Sequence, residues 1–552
     1  MKYQSIKAFL ISIFFNVILI SISFAQDNLT SLIIQDRIDQ ILTTGQLDIG
    51  YANVASKQIL PKLYERNHFQ LIWKNPQNIN DLLNELGNIE EDGLNPEDYH
   101  LSTLLVQKLH LEQSDSPEPS LMADYDILLT DSLIRLAYHL HFGKVEPESL
   151  HPDWNMTRKI NDTDPVVNIE KTLRSAKLAD TLKKSRPQLK SYSLMRAALK
   201  KYREIQEAGG WEAVPEGPTL KVGMTDERIP KLRKRLAVTG HFEGTNTKSD
   251  HFDEELEKAV VGFQKSHHLV ADGAVGKNTY KTLNGPVKRK IDQIRVNLER
   301  FRWISRNIPE EFIVVDIAGF RAYHYRNYNI KWTSKVQVGK AFRKTPVFNS
   351  QIKYLVFNPT WTVPPTILRE DIIPKIKKNP EYLQKKKISV IDRKGRIVDP
   401  SLVDWSKYSR KNVPHTFRQE PGPHNALGRI KFIFPNKHFI YLHDTPSRSL
   451  YARKDRAFSS GCIRVEKDIE LAEILLNDPE KWNQQNIQNL MDTLETKRVN
   501  LPKPMPISLL YWTVRFDEKG KIIFKKDVYD RDGAVLDGLN EEFVSWQRRF
   551  LD

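Results

Sequence analysis

"FIYLHDTPSRSLYARKDRAFSSGCIRV", residues 439–465, decides how the C-terminal half of this 552-residue chain folds. A strand ends at His443, a loop of 15 residues returns, and Ser459-Ser460-Gly461-Cys462 comes back beside it. That route brings an imidazole within hydrogen-bond reach of the only cysteine in the chain. A cysteine attacks as its thiolate, so a neighbouring base is what the chemistry needs. A thiolate–imidazolium pair would hold the thiol ready at neutral pH. Gly461 lets the backbone approach a substrate carbonyl. Backbone N–H groups around Ser460 to Cys462 are placed to form an oxyanion hole. Either residue alone reads as structural, a small buried cysteine or a hydrogen-bonding histidine. Their combination points to nucleophilic catalysis.

Working outward, the period of two starts at residue 311. "EFIVVDIAGFRAYHY", "NIKWTSKVQVG", "QIKYLVFNPT" and "KHFIYLHD" read as strands, with "RNYN" a hairpin turn between the first two. "DIELAEILLND", 468–478, reads as a helix with Asp468 as N-cap. Residues 508–524 read as a hairpin around Glu518-Lys519-Gly520. A long interruption from Pro359 to Pro423 exceeds a plain connection and reads as a lid or binding loop. The expectation is a mostly β domain over 310–495 with a lid at about 360–422, and a C-terminal β extension over 500–552 packed on it.

Toward the N-terminus, Lys2 and Lys7, an apolar run and Ser23-Phe24-Ala25 read as a signal peptide over residues 1–25, with cleavage favoured over an uncleaved anchor. An unpaired cysteine in a secreted chain is a candidate reactive group. Residues 27–215 read as a helical scaffold, for example "LMADYDILLTDSLIRLAYHLHFGKV" with Gly143 as stop signal. Residues 286–306 read as one basic amphipathic helix that completes the scaffold. Between them, 219–284 reads as a separate three-helix unit. Apolar residues at 40% and charged residues at 28% are ordinary for a globular chain. The net charge of +15 reads either as a device of solubility or as attraction to something acidic: nucleic acid, a membrane surface or an anionic polymer. No nucleic-acid motif or dense Lys/Arg tract is present, so nucleic acid is not expected. No ligand-spaced Cys/His cluster occurs, so neither metal nor cofactor is expected.

The three-helix unit resembles the peptidoglycan-binding module, through Leu232, Leu236, Gly240, Ala259, Val260, Phe263, Gln264, Asp272, Gly273, Gly276 and Thr279. The stretch His443 to Arg464 resembles the L,D-transpeptidase (YkuD-like) catalytic domain. Ser460 stands where that family usually has histidine, and Arg464 where asparagine is frequent. Both departures, with "NALGRIKFIFPN" and "YLHDTP", resemble the large Gram-negative branch. The resemblance implies a multidomain α+β protein: helical scaffold, three-helix module and mostly β catalytic domain with a helical lid. It implies an enzyme that forms third-to-third peptidoglycan cross-links, with Cys462 attacking the diaminopimelate carbonyl of a donor tetrapeptide and His443 handling protons. Ser460 and Gly461 would belong to the oxyanion loop. Arg464 would meet a stem carboxylate, and Tyr441, Ser459, Trp361 and Asp444 are further substrate-contact candidates. The partner for orienting His443 is either Asp444 or a backbone carbonyl. Implied partners are tetrapeptide stems as donor and acceptor and other cell-wall synthases, in the periplasm of a Gram-negative bacterium, with carbapenems as inhibitors. Competing readings are an L,D-carboxypeptidase, attachment of wall proteins by the same site, and a non-catalytic wall-binding protein.

Overall fold

The computed structural model describes residues 26–543 except 153, 157–163, 176, 305–307 and 410–411. The segment read as a signal peptide lies outside the described residues. Among the described residues no helix is long and apolar enough to cross a membrane. The fold is multidomain α+β.

The helical region centres on α1 (Pro119–Phe142), which starts with proline at its first turn and is buried over most of its length. Ile127, Leu128, Leu129, Leu136 and Leu140 lie in the core of this region, together with Leu82, Leu86 and Leu104 of neighbouring helices. Helix α2 (Lys190–Glu207) packs on α3 (Val287–Ile304) through Tyr192, Met195, Leu199, Ile291, Ile294 and Leu298. The cations of α3 do not all face solvent, as an amphipathic reading implies. Arg302 is buried on Glu299 at 2.5 Å and on Tyr192 Oη at 2.9 Å, and Arg300 pairs with Asp532 at 2.6 Å. Their charges are neutralised inside the fold.

Between α2 and α3 three helices, Ile229–Val238, Glu254–Ser266 and Lys277–Leu283, enclose a small core of Leu232, Leu236, Leu256, Val260, Phe263, Tyr280 and Leu283. Gln264 donates to Asp272 Oδ1 and to the Ala274 carbonyl, both at 2.8 Å, and accepts from the Gly273 amide at 2.9 Å. These motif residues therefore clamp a helix to the following turn.

The C-terminal half is built on a nine-stranded sheet: β1 (Glu311–Asp316), β2 (Arg321–Arg326), β3 (Asn329–Gly339), β4 (Phe348–Phe357), β5 (Ile430–Ile433), β6 (Leu442–His443), β7 (Ala457–Ser459), β8 (Ile463–Val465) and β9 (Lys497–Leu510). Its order is β7-β3-β8-β6-β5-β4-β9-β1-β2, and β2 also pairs with β3, so the sheet curls back on itself. The pairs β6–β8, β7–β3 and β9–β1 are parallel and the rest antiparallel.

The residues after 495 do not form an appended extension. Strand β9 runs through the sheet between β4 and β1, and Ile507 and Leu509 sit in its core. Its prolines hide the strand signal, because proline normally marks an edge or a bulge. Here the register with β4 shifts between Asn500 and Met505, which accommodates Pro502 and Pro504. The hairpin Val514–Phe516 and Ile522–Phe524 packs on α2 and α3 instead, and the helix Asp532–Asn540 lies against α3.

The insertion between β4 and β5 carries short helices and also a four-stranded sheet of its own, around Val363, Ile372, Ile376, Leu383, Val390 and Phe417.

Candidate active site

Strand alternation sorts the centre of the sheet into two faces. Leu442, Ile463, Val465, Ile430 and Phe432 point into the core. Register pairs Leu442 with Ile463 and His443 with Arg464 in the parallel β6–β8 pair, and Lys431 with His443 across β5–β6. The opposite face therefore carries Lys431, His443 and Arg464, with Tyr441 and Cys462 one step beyond the strand ends. On β3 the Arg464 partner is Gln337, whose Oε1 accepts from Arg464 Nη1 at 3.1 Å.

The thiol of Cys462 is half-buried, and the His443 imidazole beneath that face is 4% exposed. Tyr441 lies edge-on to His443 with ring centroids 5.6 Å apart, and Lys431 Nζ stands 3.9 Å over the Tyr441 ring. The structure brings Cys462 and His443 onto one face but does not join them by a hydrogen bond. The thiol is directed at the Phe439 carbonyl, 3.8 Å away, and His443 Nδ1 donates to the Asp444 carbonyl at 2.5 Å. A backbone carbonyl, not the Asp444 carboxylate, thus orients the ring.

Burial pushes the Cys462 thiol above its ordinary range, against the opposing pull of Tyr441, Lys431 and Arg464. Burial, followed by the Arg464 charge, brings His443 down to about 3. Burial thus favours the neutral form of each group in this geometry, where the sequence reading expects a thiolate–imidazolium pair. Desolvation disfavours each charged form and outweighs the contacts that oppose it, Tyr441 at the thiol and the Asp444 carbonyl at the imidazole. A neutral imidazole remains competent to accept a proton.

The nucleophile loop is held from below. Ser459 is buried; its Oγ donates to the Cys462 carbonyl at 2.5 Å and accepts from the Gly461 amide at 3.1 Å. The Gly461 amide is thereby spent, whereas the amides of Ser460 and Cys462 have no protein partner among the described residues. Those two are the candidate oxyanion donors. Gly461 has φ +119°, which favours glycine, and its Cα lies 3.1 Å from where a Cβ on Gly339 would stand. Thr345 ties the two together, accepting from the Gly339 amide at 2.9 Å and donating to the Gly461 carbonyl at 2.8 Å.

Two of the other candidates have structural roles in this geometry. Asp444 turns to Arg448 at 2.5 Å and to the Arg429 amide at 3.1 Å, away from the thiol's surroundings. Trp361 pairs with Gln419 in the small sheet and packs against the insertion's core. Arg464 remains in the site: it makes no ion pair among the described residues, and its buried Nε has no partner.

Two residues escaped the sequence reading. Lys431 is legible in hindsight from alternation, since Ile430 and Phe432 flank it in the core. Arg343 sits in the β3–β4 loop and has no local signal. It donates to Ser460 Oγ at 2.9 Å while pairing with Glu370 at 2.7 Å and with Asp371 of the insertion.

Three family models match this chain: "Scaffold domain" at residues 58–199, "Putative peptidoglycan binding domain" at 225–283 and "L,D-transpeptidase catalytic domain" at 310–480. A Haemophilus influenzae protein named "Putative L,D-transpeptidase" is 37% identical over 223 residues, 40% of this chain and 45% of its own length. The chain thus spans under half the length of that relative. Among solved structures, an L,D-transpeptidase of Xylanimonas cellulosilytica is 12% identical over 54% of this chain and 99% of its own, with TM-score 0.17. One from Stackebrandtia nassauensis is 14% identical over 54% and 96%, with TM-score 0.21. Scores this low carry no weight, and the assignment rests on the family models and the curated relative. The chain carries a YkuD L,D-transpeptidase catalytic domain, joined to a peptidoglycan-binding domain and a scaffold domain.

Proposed function

We propose that this protein forms third-to-third cross-links in peptidoglycan through a thioacyl intermediate on Cys462. The observation that carries this reading is the sheet face shared by Cys462, His443, Lys431 and Arg464, beside two open backbone amides. When a donor tetrapeptide binds, the thiol turns from the Phe439 carbonyl and gives its proton to the neutral His443. The sulfur attacks the carbonyl of the third stem residue, diaminopimelate. The amides of Ser460 and Cys462 stabilise the oxyanion. The carbon–nitrogen bond breaks, D-alanine leaves with the proton from His443, and a thioester remains. The side-chain amine of a second stem attacks the thioester, passes a proton to His443 and expels the sulfur, which recovers that proton. Arg464, without an ion pair among the described residues, receives a stem carboxylate. Ser459 and Gly461 shape the loop and do not touch substrate. The enzyme acts in the periplasm after removal of residues 1–25, with other wall synthases as partners.

Purified protein mixed with defined disaccharide-tetrapeptides tests this by mass spectrometry. A cross-linked dimer with loss of one D-alanine is the expected product. Tripeptide alone identifies an L,D-carboxypeptidase, and unchanged substrate overturns the catalytic reading.

A further inference from the structure

A cleft of about 1380 Å³ lies between the three-helix module, α3 and the loop that leads into β7. Cys462 is not among its lining residues. Part of its wall is apolar, formed by Leu269, Val270, Phe458 and Phe524. The remainder is cationic: Lys281, Arg289, Lys290, Arg453 and Lys454 face it, and none makes an ion pair among the described residues. The acids of the lining are already engaged. Asp292 pairs with Lys288, Asp455 with Lys526 and Asp532 with Arg300, while Asp527 accepts from Tyr511. Asp530 is the one lining acid without a partner among the described residues. Lys281, Arg289, Arg453 and Lys454, with the partly charged Lys290, thus face two acids, Asp527 and Asp530, that make no ion pair among the described residues.

Lys290 shows what this arrangement costs. Its ammonium stands 4.2 Å over the Phe524 ring, and burial followed by the Arg289 charge brings it down to about 7. Like charges gathered in a concave, partly apolar site create a positive potential that an anion would relieve. The walls are also fixed to each other. His267 stacks on Phe263 of the module at 4.0 Å and on Phe524 of the C-terminal hairpin at 5.5 Å.

We infer that this cleft binds a carboxylate-bearing glycan strand, the polymeric form of the substrate, alongside the nucleophile. The identity of the strand rests on the transpeptidase reading above. Stem carboxylates match the unpaired cations, and the apolar faces of sugar rings match Leu269, Val270 and Phe458. Position agrees as well: Phe458, which lines the cleft, belongs to β7, the strand that leads into the loop carrying Cys462. The motif residues Gln264 and Asp272 are occupied by internal hydrogen bonds, which leaves the Lys281 side of the module to meet ligand.

The test compares the full-length chain with the triple variant Lys281→Glu/Arg289→Glu/Lys454→Glu, all at exposed positions. The probe is a fluorescent, soluble, uncross-linked glycan strand bearing tetrapeptides, followed by anisotropy at physiological salt. The variant should bind at least about tenfold more weakly, because like-charge repulsion replaces attraction. Amidating the stem carboxylates should weaken wild-type binding comparably. Turnover of a single disaccharide-tetrapeptide should stay within about twofold of wild type, since that substrate needs only the thiol site. Unchanged strand binding in the variant, with a native melting curve, overturns the proposal. A single-stranded DNA of equal charge that binds as tightly as the glycan also overturns it, by reducing the cleft to a general polyanion surface. If neither protein turns over the small muropeptide, the transpeptidase reading fails, while the binding comparison still decides the cleft.

Discussion

The sheet that carries Cys462 and the insertion that faces it are held together by different means. The sheet core draws on strands from residue 311 to 510, and Ile313, Val336, Leu355, Phe432, Leu442, Ile463 and Leu509 are wholly buried in it. The insertion builds a small core from one continuous stretch, Val363 to Phe417. It reaches the nucleophile loop through Arg343, whose partners Glu370 and Asp371 are 41% and 35% exposed. Ion pairs of that exposure contribute about 0–1 kcal/mol. Burial of whole side chains contributes about 1.5–3 kcal/mol for each residue. The sheet therefore supplies fixed geometry, and the insertion, the proposed cover, is tied to the Cys462 loop by exposed ion pairs that can part without disturbing the core.

Substitutions on the sheet should have the largest effects. Cys462→Ala should abolish cross-linking, on the order of 10⁶-fold as for the loss of a covalent nucleophile. Its melting temperature should stay near wild type, because the thiol is half-buried and small. Cross-linking that persists in this variant would remove the chemistry from the sheet altogether. His443→Gln should slow the first acylation by about 10²–10⁴-fold, the range for a general base. Intact-mass measurement of carbapenem acylation checks this, with peptide mapping to Cys462; an adduct on another residue counts against the thiol.

The charge state of the site gives a pH test. The thiol is raised and the imidazole lowered, so the free enzyme should hold a neutral pair at pH 7. The thiolate fraction should then grow with pH up to a value above the ordinary thiol range. Iodoacetamide alkylation should climb steadily from pH 6 to 9, about tenfold per unit, with no plateau near neutrality. A plateau between pH 6 and 8 would reveal a resting thiolate–imidazolium pair. Lys431→Met should slow alkylation at pH 8, because the Lys431 charge favours the thiolate.

The same contrast explains what could be read from sequence. Alternation around Leu442 and Ile463 is local and strong, so the strand–loop–strand path and the shared face of Tyr441 and His443 were legible. Strand β9 was not, because Pro502, Pro504 and Pro506 suppress the pattern of a central strand, and only a register shift between Asn500 and Met505 accommodates the first two. Arg343 was not legible either, since its role depends on a contact with residues 27 and 28 positions away, across β4. The neutral resting pair depends on how far each ring and sulfur is desolvated, which spacing does not encode.

The smallest expected effect is the one that separates the two regions most cleanly. Arg343 joins the insertion to Ser460, so Arg343→Ala should loosen the cover and leave the sheet core as it is. Unfolding stability should change by no more than about 1 kcal/mol. Total turnover should fall by a few-fold, well short of the His443 variant. The ratio of hydrolysis to transfer should rise, because a parted insertion admits water to the thioester. The double variant Glu370→Ala/Asp371→Ala keeps the Arg343–Ser460 contact and removes only the tie to the insertion. If it raises the ratio as Arg343→Ala does, the cover is what excludes water. If Arg343→Ala alone changes the products, Arg343 acts by positioning the Ser460 amide. If neither changes the ratio, the two regions are independent and the insertion is a folded appendage with no part in choosing amine over water.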